Sequence, residues 1–305
     1  MSAPTTGLEK CANCGAELAS RYCPECGQSR EELKRPILGL VSDALDGALS
    51  WDGRFLVTLK TLFTRTGGLG RAYMEGERAK FTSPIRLYLI ISLLFFLLMS
   101  ALDFRVLAVQ FPESLSAEAG QEATDSPVTV TVFRRGQPAE GMTLSDEEWR
   151  QATEEIHAQV KSEWGARMAI AALRDPASVE RAAAAAAAQA MVLMLAAFAL
   201  INLALHPRRK IVEHVVHSLY FHSAFLIGLG VAFAASVWLG RWPPTAIGLA
   251  LISAMFFLYG LYAFDRGFYH SSRIGAALRV LPIAIAYSLA AVGASLGLLF
   301  VAAFQ

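Results

Sequence analysis

Five stretches of this chain, residues 85–102, 183–205, 216–239, 245–264 and 281–304, are long, apolar and almost free of charge. Roughly 20 apolar residues in a helix span the hydrocarbon of a bilayer, which is about 30 Å thick. Soluble cores also contain apolar helices, but they need a polar shell to cover them. Only 17% of the 305 residues are charged, against roughly a quarter in soluble domains. The expected fold class is mainly α: a polytopic helical membrane protein with about five transmembrane helices.

Lys and Arg near the ends of the stretches give an orientation, because cytoplasmic loops collect them. Arg65, Arg71, Arg78, Lys80 and Arg86 surround the start of the first stretch; Arg208, Arg209 and Lys210 join the second to the third; Arg266, Arg273 and Arg279 lie between the fourth and fifth. The link between the third and fourth has only Arg241, set among Trp238, Trp242, Pro243 and Pro244, and aromatic residues suit an interfacial belt. The pattern predicts a cytoplasmic N-terminus and an outer C-terminus. The first 30 residues hold no apolar run of a signal peptide, so the first span is expected to act as the targeting signal. The net charge of +1 gives no electrostatic case for nucleic acid as a partner.

All four cysteines lie in the first 26 residues, as Cys11-x2-Cys14-Gly15 and Cys23-x2-Cys26-Gly27. A C-x2-C turn aims two thiolates at one ion, and two such turns complete a tetrahedron. The spacing predicts a zinc ribbon over residues 1–30 with Cys11, Cys14, Cys23 and Cys26 as ligands. With no position left for water the zinc would be structural, and its binding would be the folding event. Four thiolates also accept iron. Arg21, Tyr22, Arg30, Lys34 and Arg35 are candidate contacts for a cytoplasmic protein partner or anionic lipid.

Residues 31–84 read as a juxtamembrane region of amphipathic helices. Ile37, Leu40, Val41, Ala44, Leu45 and Ala48 recur at helical spacing, as do Phe55, Leu56, Leu59, Leu62 and Phe63. Apolar stripes flanked by Arg54, Lys60 and Arg65 suit either the lipid interface or packing on the span ends. A glycine-rich turn, Thr66-Gly67-Gly68-Leu69-Gly70, lacks the phosphate-loop pattern. Arg71, Arg78, Lys80 and Arg86 are candidate contacts for lipid phosphates.

Residues 103–182 are expected outside the membrane on the far side. They hold a strand at 128–133, a turn at Gly136-Gln137-Pro138, and a Ser145-x-x-Glu148 capping box opening a helix through Trp149, Ile156, Val160 and Trp164. The stretch 110–127 reads as flexible. Asp175-Pro176 starts a further helix, which an alanine run carries into the second span. Residues 183–305 hold spans two to five.

The two knuckles ending in Cys26-Gly27-Gln28, the amphipathic stretch, and the element Gly76-x-Arg78-x-x-Phe81-x-x-Pro84 before a span resemble domain-of-unknown-function family 3667. The resemblance implies a multi-pass protein of the bacterial inner (cytoplasmic) membrane with an N-terminal zinc ribbon. It supplies no activity. Glu213-His214 also resembles the family, whereas the family has an aromatic residue at His217 and a His at Tyr220. That departure counts against a metal role for the histidines.

Glu213, His214, His217 and His222 enter the third span. Ionisable groups at membrane depth are functional candidates, here for metal or proton chemistry, although the spacing is not that of a zincin. Asn202, Tyr220, Ser223, Tyr259, Tyr262 and Tyr287 are candidates for bonds between helices, Asp265 and Arg266 for a pair, and Gly293-x3-Gly297 for close approach within the chain or between copies in a homo-oligomer. No hydrolase, nucleotide-binding or metalloprotease motif is present. The expected function is a non-enzymatic, membrane-anchored scaffold or binding protein that recruits a partner through its zinc ribbon. The alternative is a transporter or channel component for a small solute, ion or lipid.

Overall fold

The computed structural model describes residues 9–29, 53–110, 129–136, 144–239 and 243–303. The stripe read at 37–48, the stretch 111–127 and the link at Arg241 and Trp242 lie outside them. The elements are α1 (Gly53–Thr64), α2 (Gly68–Glu75), α3 (Pro84–Ala101), β1 (Phe104–Gln110), β2 (Thr129–Arg135), α4 (Asp146–Gln159), α5 (Glu163–Arg174), α6 (Pro176–Leu205), α7 (Ile211–Leu239), α8 (Pro243–Tyr269) and α9 (Arg273–Ala303). Five of them, α3, α6, α7, α8 and α9, are long and apolar enough to cross a membrane. The chain divides into two compact units. One comprises Met1–Phe96 with Leu195–Tyr287; the other comprises Leu97–Met194 with Ser288–Gln305.

The first unit contains the candidate site. Its tightest joint is between backbones. Gly67, at the N-cap of α2, has φ +76°, and a Cβ there would lie 2.6 Å from the Phe264 carbonyl oxygen. A Cβ on Gly267 of α8 would lie 2.1 Å from the Thr66 oxygen. Only glycine on both sides permits that approach. The glycine-rich turn is therefore a seat for the end of α8. Arg71 locks it by donating to the Gly267 oxygen at 3.2 Å and meeting His270 Nε2 at 3.0 Å.

The second unit contains an antiparallel pair, β1 with β2, in the register Phe104↔Arg135 to Gln110↔Thr129. The sequence reading has no β1, because Phe104-Arg105-Val106-Leu107-Ala108-Val109 lacks the apolar–polar alternation that marks a strand. Ser145 and Glu148 form the expected capping box on α4. The helix expected to continue through Trp164 instead stops at Val160. Ser162 caps α5, its hydroxyl accepting from Gly165 N at 3.0 Å. The break folds α5 back on α4, so that Ile156, Ala166 and Leu173 share a small core with Trp149 and Ile170. Arg105 reaches Glu180 at 2.5 Å and the Gly136 oxygen at 2.8 Å, joining the strand pair to the first turns of α6.

Candidate metal centre and its dock on the juxtamembrane turn

The two knuckles are built alike. Cys11 N donates to Ala16 O at 2.7 Å, and Gly15 N to Cys11 O at 2.8 Å; twelve residues on, Cys23 N donates to Gln28 O at 3.0 Å, and Gly27 N to Cys23 O at 2.9 Å. Gly15 and Gly27 take φ of +78° and +72°, the left-handed turn that a Cβ disfavours. The bridges Lys10↔Glu17 and Tyr22↔Ser29 close each loop.

The four Sγ atoms lie within 4.8 Å of one another. Cys11 and Cys26 are 3.7 Å apart, and Cys14 and Cys23 are 3.5 Å apart. Metal–sulfur bonds of about 2.3 Å give a tetrahedron with edges of about 3.8 Å, so the thiols fit a single ion. Hydrogen bonds from the Cys26 and Glu25 backbone pull the Cys23 thiol down to about 7. The Cys14 thiol receives the Ala16 backbone N–H, which lowers it, but its bonds with Cys23, Cys26 and Cys11, together with desolvation, push it up to about 12. A cation is what lets both lose their protons together.

The two knuckles differ in what their fifth residue after the first cysteine does. Ala16 ends in a methyl, whereas Gln28 is 5% exposed and inserts its amide into the turn ahead of α3. Nε2 donates to the Gly76 oxygen at 2.8 Å, while Oε1 accepts from Ala79 N at 3.0 Å and Arg78 N at 3.2 Å. The same turn is held from two other sides. Thr82 N donates to Thr58 Oγ1 on α1 at 2.9 Å, and Tyr220 of α7 donates to the Thr82 oxygen at 3.1 Å. The cysteine knuckle is thus fixed to the segment that leads into the first span-length helix. The element Gly76-x-Arg78-x-x-Phe81-x-x-Pro84 supplies the receiving surface: Gly76 (φ +111°), Arg78, and Phe81 buried beside Thr82.

The four candidate lipid-phosphate residues lie around this turn, each with protein neighbours. Arg71 holds α8 as described and approaches Glu75 at 3.6 Å. Arg78 lies over the Tyr73 ring at 5.2 Å, Lys80 pairs with Glu77 at 3.3 Å, and Arg86 is half-buried on the first turn of α3.

The polar residues of α7 separate. Glu213 faces the helix start, where it accepts from Lys210 N and pairs with Arg209. His214 is buried, with Nδ1 2.7 Å from the Tyr269 hydroxyl. His217 is buried in a stack of rings: Phe198 lies parallel at 5.6 Å, with Phe268 and Tyr269 both at 4.9 Å. His222 sits a further turn along, between the Ser218 oxygen at 2.8 Å and the Tyr287 hydroxyl at 2.9 Å. Among the described residues, only the cysteines bring three or more ligand atoms together.

Sequence reasoning missed the principal charge cluster of the spans. Asp265 is buried and pairs with Arg279, its carboxylate oxygens accepting at 3.0 and 3.3 Å, and with His206 Nε2 at 2.8 Å. Its expected partner, Arg266, points the other way and is exposed, because neighbours in sequence leave a helix about 100° apart.

Five span-length helices and four converging thiols define a multi-pass membrane protein whose N-terminal knuckle can hold a metal ion. Residues 52–96 match the model of the family described as "Protein of unknown function (DUF3667)", in agreement with the resemblance read from the sequence. The match includes the receiving turn at 76–84 and stops short of the cysteines. No curated protein and no solved structure matches the chain.

Proposed function

We propose that this protein is a non-enzymatic scaffold of the bacterial inner membrane, with its N-terminus in the cytoplasm and a structural zinc ion in the knuckle. The observation that carries this reading is the Gln28 dock. It commits one side of the knuckle to the protein's own juxtamembrane turn, so the metal serves architecture, and it leaves the segment between the knuckles, residues 19–22, exposed. Tyr22 is 55% exposed there, with Arg21 over its ring at 5.9 Å. An aromatic–arginine pair on a rigid mount suits recruitment of a protein partner. Four thiolates at tetrahedral separations support zinc and leave no coordination site for chemistry.

The alternative, transport, draws on the polar groups of α7. These end at Ser223, beyond which α7 buries no polar residue among those described. A polar path limited to one end of a helix supports a binding or structural role better than conduction.

The test is affinity recovery from solubilised membranes with mass spectrometry and metal analysis, comparing wild type with Cys11→Ser/Cys14→Ser and Tyr22→Ala. The expected result is a partner lost in both variants, with zinc lost only in the first. Identical protein lists from all three would overturn recruitment through this face.

A further inference from the structure

We propose that α1 lies in the membrane interface and reads anionic lipid headgroups through Lys60. The helix has two apolar faces. Phe55, Thr58 and Leu62 are buried against the protein. Leu56 and Phe63, seven apart on a second face with Leu59 between them, are 67% and 45% exposed. Lys60, about 40° round the helix from Leu56, is exposed at the edge of that second face, and the helix contains no acidic residue. A helix with an apolar stripe and cationic rim, positioned at a bilayer surface, inserts the stripe at the acyl boundary and sets the cations among the phosphates.

The position is fixed within the fold. Thr58 Oγ1 receives the N–H of Thr82 at 2.9 Å, two residues before Pro84 begins a span-length helix. Whatever bilayer surrounds α3 therefore has its boundary at the level of α1. Anionic lipid is the occupant that matches both the apolar stripe and the exposed Lys60 at its edge. A protein segment covering Leu56 and Phe63 would need acidic groups of its own.

The test uses the full chain in nanodiscs of phosphatidylcholine, alone or mixed with phosphatidylglycerol, either lipid being brominated on its acyl chains. Leu56→Trp, Phe63→Trp and a control, Thr61→Trp, are each read as the emission added to that of wild type. The expected result is quenching of Trp at 56 and 63 by brominated lipid with protection from acrylamide, and the reverse at 61. Lys60→Gln in the Phe63→Trp background should lower the preference for phosphatidylglycerol over phosphatidylcholine roughly fivefold, the share of one basic residue at an anionic surface. Protection of both positions from both quenchers would mean that protein covers the stripe, and free access of acrylamide would mean that water does; either overturns the proposal. Equal quenching by the two lipids, unchanged by Lys60→Gln, would overturn the headgroup assignment.

Discussion

Replacing Gln28 with alanine removes the dock and leaves the metal ligands intact. The amide makes three bonds to the turn, but Arg78 N also donates to the Gly76 oxygen at 2.8 Å, so about two bonds are lost without substitute. At about 1 kcal/mol net for each, the docked state loses about 2 kcal/mol, and the undocked population rises roughly 30-fold. Ala79 N is the reporter, since Gln28 Oε1 is the partner it meets at 3.0 Å. Hydrogen exchange at Ala79 should therefore accelerate by about that factor in Gln28→Ala, while metal content and the exchange of Cys11 N and Gly15 N stay as in wild type. Chelating the metal from the wild type should release Ala79 at least as far, because the knuckle that presents Gln28 folds with its ion. Ala79 exchange that is unchanged in Gln28→Ala, or unchanged on chelation, would refute the reasoning that the metal centre holds the juxtamembrane turn.

Metal affinity should fall as pH falls: with Cys14 raised and Cys23 near 7, binding must displace thiol protons, and below about pH 7 Cys23 adds another; competition with a chromophoric chelator across that range measures it, and a flat profile would contradict the assignment. Asp265→Asn should destabilise the detergent-solubilised protein by about 3 kcal/mol, the low end for stranding a buried partner because Arg279 keeps some solvent contact, whereas Arg266→Ala should change thermal unfolding by less than about 0.5 kcal/mol. Gly267→Ala should cost about 1–3 kcal/mol by overpacking against Thr66, while Gly293→Ala, whose Cβ meets nothing within 4 Å, should be near neutral in the same melt.

What could be read from the sequence was local. Span length needs only a run of apolar residues, the thiol centre only the C-x2-C spacing, and the α4 cap only Ser145 and Glu148 three apart. Long-range partners were not legible. Nothing around Gln28 announces that its amide finds Gly76, 48 residues away, and nothing around Asp265 selects Arg279 over adjacent Arg266. Two local errors have physical causes as well. β1 was hidden because Val106 to Val109 are four apolar residues in a row, without the period-2 alternation by which a strand is read. The helix expected through Trp164 was split because Ser162 offers its hydroxyl to the backbone, and a cap competes with continuation.

The near-repeat of the two knuckles separates what the metal requires from what the fold requires. Both halves share the cysteines, the left-handed glycines and the closing bridge, and these are sufficient to surround an ion. They differ at Ala16 and Gln28, which occupy equivalent places: each offers its carbonyl to the first cysteine of its own half. A metal centre alone would tolerate alanine at both. A buried glutamine in the second half, with both ends of its amide bonded to residues 76–79, costs desolvation that metal binding does not offset; docking does. The same three-residue step, Gly76 to Arg78, then passes through Thr82 to α1 and α7 before Pro84 enters the span. An ion held by the four cysteines would therefore act past its ligands, through Gln28, on the juxtamembrane turn where the first span-length helix begins.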